Sequence, residues 1–302
     1  MLNIRTFAVI FIIIFVFLSS TGCVENSIDG TIDILVTILP QKEMLEAIGG
    51  SYITVTLMVP PGQSPHSFEP TPEQMTKVAK AKAYFIVGSG VEFEITHLDT
   101  ILTQNPDLQI YDCSTYVEVV SFDEHYGQQY YHNGSIQDHE AGTDPHIWTS
   151  PLNFKKMADI VFEGLIDIDP DHQEYYYGNY QEYISQLDDL HVNIDLILSE
   201  FTGRSFMVYH PAWGYFGDTY SLEQIAIEEE GKQPGPAGVA ALIQQAKDLE
   251  ISVIFVSPQF DMSNAQTIAS EIDGTVIPID PLMGDYEETL LKLATDMVKG
   301  FK

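Results

Sequence analysis

Between Pro170 and Phe201 the sequence reads PDHQEYYYGNYQEYISQLDDLHVNIDLILSEF, and the organisation of the whole chain turns on this stretch. Beyond Pro170 it has no proline, and its only glycine is Gly178. Tyr176, Tyr180, Tyr183, Ile184, Leu187, Leu190, Ile194, Ile197 and Leu198 recur at spacings of three and four, which sets them on one helical face. At 1.5 Å per residue, about 30 residues make a helix of about 45 Å. A helix that long can run past two separate bodies and join them.

The flanking sequence supplies those bodies. On the N-terminal side, strand patterns at Ile32–Thr37, Ile53–Val59, Ala83–Val87 and Leu108–Asp112 alternate with helical patterns at Gln41–Ile48, Pro72–Ala81 and Glu92–Leu102. On the C-terminal side, strands at Ser205–Tyr209, Val253–Val256 and Thr275–Ile279 alternate with helices at Ala237–Leu249, Asn264–Ile272 and Tyr286–Val298. Such alternation specifies parallel βαβ units. The expected fold is α/β: two parallel-sheet lobes, residues 32–169 and 203–302, bridged by one long helix over 170–202.

Composition narrows the function. The chain has 302 residues, and 44 acidic side chains against 13 basic ones give a formal net charge of −31. Such a surface repels phosphate backbones, which excludes nucleic-acid binding. It attracts cations only diffusely and marks no site by itself.

The N-terminus carries an address. Arg5 precedes an apolar run from Phe7 to Leu18, then Ser19-Ser20-Thr21-Gly22-Cys23. A charged start, about a dozen apolar residues and small residues before a break describe a signal peptide. The run is short of the roughly 20 apolar residues of a membrane-spanning helix, although an uncleaved anchor helix is the alternative. Gly22-Cys23 resembles a lipobox, with Ser20 where that pattern usually has leucine, so Cys23 is the expected lipidation site and residues 24–31 a tether. Both alternatives put the remaining chain outside the cytoplasm, held at the outer face of the cell membrane. With Cys23 lipidated, Cys113 has no partner for a disulfide.

Four positions concentrate the chemistry. His66 lies in the loop Pro60-Pro61-Gly62-Gln63-Ser64-Pro65-His66, leaving the second strand. His146 lies in Asp144-Pro145-His146-Ile147-Trp148, and His210 and Asp280 directly follow strands. Ligands of open parallel sheets bind beyond the carboxyl ends of the strands. Proline beside each candidate restricts the backbone, so these loops are stiff before a ligand arrives. Three imidazoles and one carboxylate make a four-coordinate nitrogen/oxygen set that suits Zn²⁺. Calcium and magnesium prefer oxygen-dominated sites, manganese favours more carboxylate, and copper(II) or nickel(II) are not excluded by donor chemistry. Four protein ligands leave no place for a reactive water, which favours carriage over catalysis. A further segment, Phe122–Thr143, has no consistent period and carries His125, His132 and His139 among acids; such tracts can hold metal loosely or serve as a solvated insertion.

Together these residues resemble the zinc/manganese class of solute-binding proteins of ABC importers. The resemblance rests on Pro61-Gly62 through His66-Ser67-Phe68-Glu69-Pro70, on Asp144-Pro145-His146-Ile147-Trp148, on His210-Pro211-Ala212-Trp213-Gly214-Tyr215-Phe216, and on Ile279-Asp280-Pro281-Leu282. Gln224-Ile225-Ala226 and Phe255-Val256-Ser257-Pro258-Gln259-Phe260 match as well. It implies a metal site in the cleft between the two lobes, with ligands at His66, His146, His210 and Asp280, an ABC permease as membrane partner, and a monomeric carrier without enzymatic activity. His210 stands where manganese members usually have glutamate, so zinc ranks first and manganese second. A surface adhesin or metal-storage protein and a secreted metal-dependent hydrolase are the competing classes; the hydrolase would need an open coordination position and a nearby general base.

Other motifs fall short. After His139-Glu140, the second histidine of a zinc-protease helix is replaced by Thr143, and Gly88-Ser89-Gly90 lacks the third glycine of a dinucleotide fingerprint, with Phe93 in its place.

Overall fold

The computed structural model describes residues 30–120, 142–228 and 232–301. Cys23 and the histidines His125, His132 and His139 lie outside the described residues.

β-Branched and aromatic runs become the strands of two four-stranded sheets. In the first, β1 (Ile32–Val36), β2 (Ile53–Leu57), β3 (Ala83–Ile86) and β4 (Gln109–Asp112) are all parallel, in the order β2-β1-β3-β4. In the second, β5 (Ser205–Val208), β6 (Glu223–Ala226), β7 (Val253–Val256) and β8 (Thr275–Pro278) repeat that order as β6-β5-β7-β8, again parallel. The expected pair of α/β lobes is present. Strand β6 was not expected: Glu223 and Gln224 give it no apolar run. Gln224 is buried nevertheless, because its side-chain oxygen accepts the Trp213 N–H at 2.8 Å.

Helices α1 (Leu39–Gly49), α2 (Pro72–Val78) and α3 (Glu92–Gln104) connect the first sheet. Local chemistry starts several helices. Thr71 caps α2 in a reciprocal box with Gln74, and Pro72 occupies a first-turn position where its missing N–H costs nothing. Ser150 caps α4 (Pro151–Ile168) without a reciprocal bond, its hydroxyl accepting from Asn153 N, and Pro151 again takes a first-turn position. The C-terminal lobe carries α6 (Gly214–Thr219), α7 (Pro236–Asp248), α8 (Ser263–Glu271) and α9 (Tyr286–Phe301).

The bridge is α5, Gln173–Leu198, with single 3₁₀ turns at Pro170–His172 and Ser199–Phe201. Its 26 residues span about 39 Å, slightly shorter than the sequence pattern suggests because both ends tighten. Tyr176, Leu187, Leu190, Ile194 and Leu198 are buried along it, against α1 and α4 of one lobe and α9 of the other. Gly178 faces open space and does not interrupt the helix.

The core is continuous across both lobes. Alternation along β5 divides its side chains: Phe206 and Val208 join the large core that includes the first lobe, while Met207 and Tyr209 face a smaller cluster with Ile254 and Ile268. Cys113 is a buried free thiol. No described helix is long and apolar enough to cross a membrane.

Candidate metal centre

The three histidines reach one point from different directions. After β2, Met58 N and Val59 N still bond to the carbonyls of Val36 and Thr37, so the chain leaves the sheet edge under control. Gly62, at φ +78°, then turns the loop in a conformation that suits glycine. Ser67 N and Phe68 N return to Ser64 O, and the turn presents His66.

His146 is delivered by a buried scaffold. Asp144 is fully buried, and its Oδ1 accepts both His146 N at 2.9 Å and His146 Nδ1 at 2.7 Å. Ser89 Oγ donates to Pro145 O at 2.5 Å, and Thr149 Oγ1 donates to His146 O at 2.9 Å. His210 follows β5, whose pairing with β7 continues one residue further through Tyr209 N and Phe255 O. The His210 ring stacks on Phe260, centroids 4.8 Å apart, and its Nδ1 bonds to the buried carboxylate of Glu228. Gln259 and Phe260 leave β7, so this half of the site lies where the strand order reverses between β5 and β7.

One ligand nitrogen from each of His66, His146 and His210 lies within 4.8 Å of the others. The Nε2 atoms of His146 and His210 are 3.3 Å apart. Two imidazole nitrogens on one tetrahedral zinc, each about 2.0–2.1 Å from it, stand about 3.3–3.4 Å apart. The match is meaningful because of the opposite ring atoms. Each Nδ1 is held by a carboxylate: Glu92 at 3.3 Å for His66, Asp144 for His146 and Glu228 for His210. An ionised carboxylate only accepts, so a ring bonded to one through Nδ1 carries its hydrogen there, which leaves Nε2 as the atom able to ligate a metal. Burial lowers the pKa of His66 and of His210; for His66 the neighbouring His210 adds to the effect, and for His210 the Glu228 bond opposes it. Two Nε2 atoms that both lack a hydrogen would repel at this distance unless a cation stood between them.

The adjoining cavity, bounded by His146, Trp148, His210, Gln259 and Phe260, measures about 20 Å³. That is close to the space one water molecule needs. A single ion fits there.

Asp280, the fourth candidate, stands outside this triangle. Its Oδ2 accepts from Gln259 Nε2 and its Oδ1 from Leu282 N, both at 2.9 Å. Both contacts come from its own lobe and hold the carboxylate beside the cavity wall. The orienting carboxylates Glu92, Asp144 and Glu228 are site residues that sequence reasoning did not single out. Asp144, two positions before His146, was the one within reach, since a short acidic side chain there closes a local turn. Glu92 and Glu228 lie 26 and 18 positions from their histidines, and no local pattern links them.

Comparison with known proteins identifies the family and the fold. The family described as "Zinc-uptake complex component A periplasmic" matches residues 34–302. The high-affinity zinc uptake system protein ZnuA of Bacillus subtilis (strain 168) is 26% identical over 288 residues, covering 92% of this chain and 89% of the relative. The manganese-binding lipoprotein MntA of Halalkalibacterium halodurans is 25% identical over 272 residues, covering 86% and 84%. A crystal structure of ZnuA superposes with a TM-score of 0.82 at 31% identity, covering 90% of this chain and all of that one. With its two parallel lobes, its bridging helix and its three convergent histidines, the chain belongs to the family of the periplasmic zinc-uptake component A.

Proposed function

We propose that this protein captures a divalent transition-metal ion, zinc in preference to manganese, outside the cytoplasm and delivers it to an ABC importer. The observation that carries this is the pair of Nε2 atoms 3.3 Å apart, each on a ring whose other nitrogen is committed to a buried carboxylate. His66, His146 and His210 supply three ligands, and Asp280 supplies the fourth by exchanging one of its present partners for the ion. Three imidazoles and a single carboxylate favour zinc over the harder manganese. The ion is cargo, so capture must be reversible and no reaction is catalysed on it. The relatives described as a high-affinity zinc uptake system protein and a manganese-binding lipoprotein, together with the match to a family described as periplasmic, support an extracytoplasmic site of action. On this reading Cys23 carries the lipid anchor, the partner is a membrane permease, and the carrier acts as a monomer.

Titration of the apo protein with zinc against a chromophoric chelator tests this. One tight equivalent is expected, weakened by orders of magnitude in His66→Ala, His146→Ala and His210→Ala. Unchanged affinity in all three variants would overturn the assignment, and a parallel manganese titration fixes the order of preference.

A further inference from the structure

The loop that carries Asp280 belongs to the C-terminal lobe, yet much of what holds it comes from the other side of the cleft. Trp148 Nε1, two residues beyond His146, donates to Pro281 O at 2.7 Å. Tyr286 OH returns a bond to Trp148 O at 2.7 Å, and the Tyr286 ring stacks on Phe154 of α4, centroids 4.0 Å apart. The far end of the loop is held by Glu43 on α1. Its Oε1 accepts Asp285 N at 2.9 Å and its Oε2 accepts Tyr286 N at 3.3 Å.

These two bonds amount to a helix cap supplied in trans. Tyr286 opens α9, and the first N–H groups of a helix need acceptors from outside it. Asp285, directly before the helix, sits at φ +54°, outside the extended conformation from which a capping side chain folds back. A carboxylate 242 positions away in sequence takes that role. Its charge also meets the positive end of the helix. The fit is close: a Cβ on Gly284 would stand 3.0 Å from Glu43 Oε1. Glu43 is half-buried in a groove between α1, α5 and α9, so the contact is partly shielded from solvent.

We propose that Glu43 is a positioning residue for the metal site: by capping α9 from the opposite lobe it fixes the Asp280–Asp285 loop, and so ties retention of the ion to the relative placement of the lobes. This deepens the transport assignment and rests on Asp280 as the fourth ligand. Separating α1 from α9, as a docked permease could do by moving one lobe, breaks the cap, frees the loop and draws Asp280 from the ion. The three histidines alone then hold the cargo less firmly.

A double-mutant cycle on zinc release tests the coupling. Zinc-loaded full-length protein is mixed with excess EDTA, and metal loss is followed by stopped flow. Glu43→Ala is expected to speed release by about tenfold or more, the scale at which supporting contacts act on a metal ligand. Glu43→Gln keeps one acceptor but sets an amide N–H₂ against the second helix N–H, so an intermediate rate is expected. In an Asp280→Ala background, which retains three imidazoles, Glu43→Ala should change the rate less than about twofold, because its effect runs through the missing ligand. Equal acceleration in both backgrounds would show that Glu43 acts by general loosening and would overturn the coupling. So would an unchanged rate in the parent background with the fold intact by circular dichroism. Failure of the parent protein to bind zinc would instead refute the transport assignment itself.

Discussion

Replacing Asp144 by Asn tests whether the buried carboxylates, and not the histidines alone, set the metal affinity. Asp144 is fully buried, and one oxygen receives both the backbone N–H and the Nδ1–H of His146, at 2.9 and 2.7 Å. Asparagine can keep both bonds through its amide oxygen while removing the charge. Hydrogen bonds to a charged partner contribute about 1.5–3 kcal/mol against about 0.5–1.5 for neutral ones, a difference of about 1–1.5 kcal/mol per bond. The Nδ1 bond strengthens when the ring gives electron density to a cation, so much of that difference appears as binding energy. The expected loss is therefore 10- to 100-fold in zinc affinity, or about 1.4–2.7 kcal/mol. Stability of the metal-free protein should move little, because the lost charge also removes a desolvation cost. Chelator competition gives the affinity, and thermal melts of the apo protein give the stability. An affinity within twofold of the parent would refute the role assigned to the carboxylate; an equal loss of apo stability would show that Asp144 supports the fold and not the ligand.

Two further outcomes follow from buried contacts outside the site. Glu94 is buried on α3, bonds to Thr37 and accepts from Val87 N at 2.7 Å and Gly88 N at 2.9 Å; burial raises its pKa from 4.5 to about 7. The folded chain then holds a proton that the unfolded chain releases between about pH 4.5 and 7, so this group's contribution to stability falls as pH rises through that window. The full effect is on the order of 3 kcal/mol, and urea midpoints at pH 5 and pH 8 should converge in Glu94→Gln, whereas an unchanged pH dependence would rule the group out. In Gly164→Ala the new Cβ would lie 2.6 Å from Phe85 Cε1 and 3.0 Å from Tyr111 Cδ1, where α4 rests on the first sheet. Overpacking of this kind costs about 1–3 kcal/mol, so the melting temperature should drop while zinc stoichiometry stays at one; an unchanged melt would refute the close packing.

Much of the architecture was legible because it is local. Apolar residues three and four apart announce α5, and β-branched runs between helical patterns announce parallel strands. Strand β6 escaped because burial of Gln224 depends on a bond to Trp213, which no period encodes. The histidines stood out through their prolines and strand exits, since stiff loops beyond parallel strands are where ligands sit.

What the sequence by itself determined, then, is the fold class and the identity of the candidate ligands. Tertiary structure decided their arrangement. Only folding brings Glu92 and Glu228 to one nitrogen of His66 and of His210, leaving the other ring nitrogen as the candidate ligand atom. Only folding holds Asp280 on Gln259 and Leu282, and fastens its loop to Trp148 and Glu43 across the cleft. The physical reason is range. Periodicity and turn chemistry act over a few residues, whereas the direction of a ligand is set by hydrogen bonds between elements that the chain brings together only after both lobes have formed.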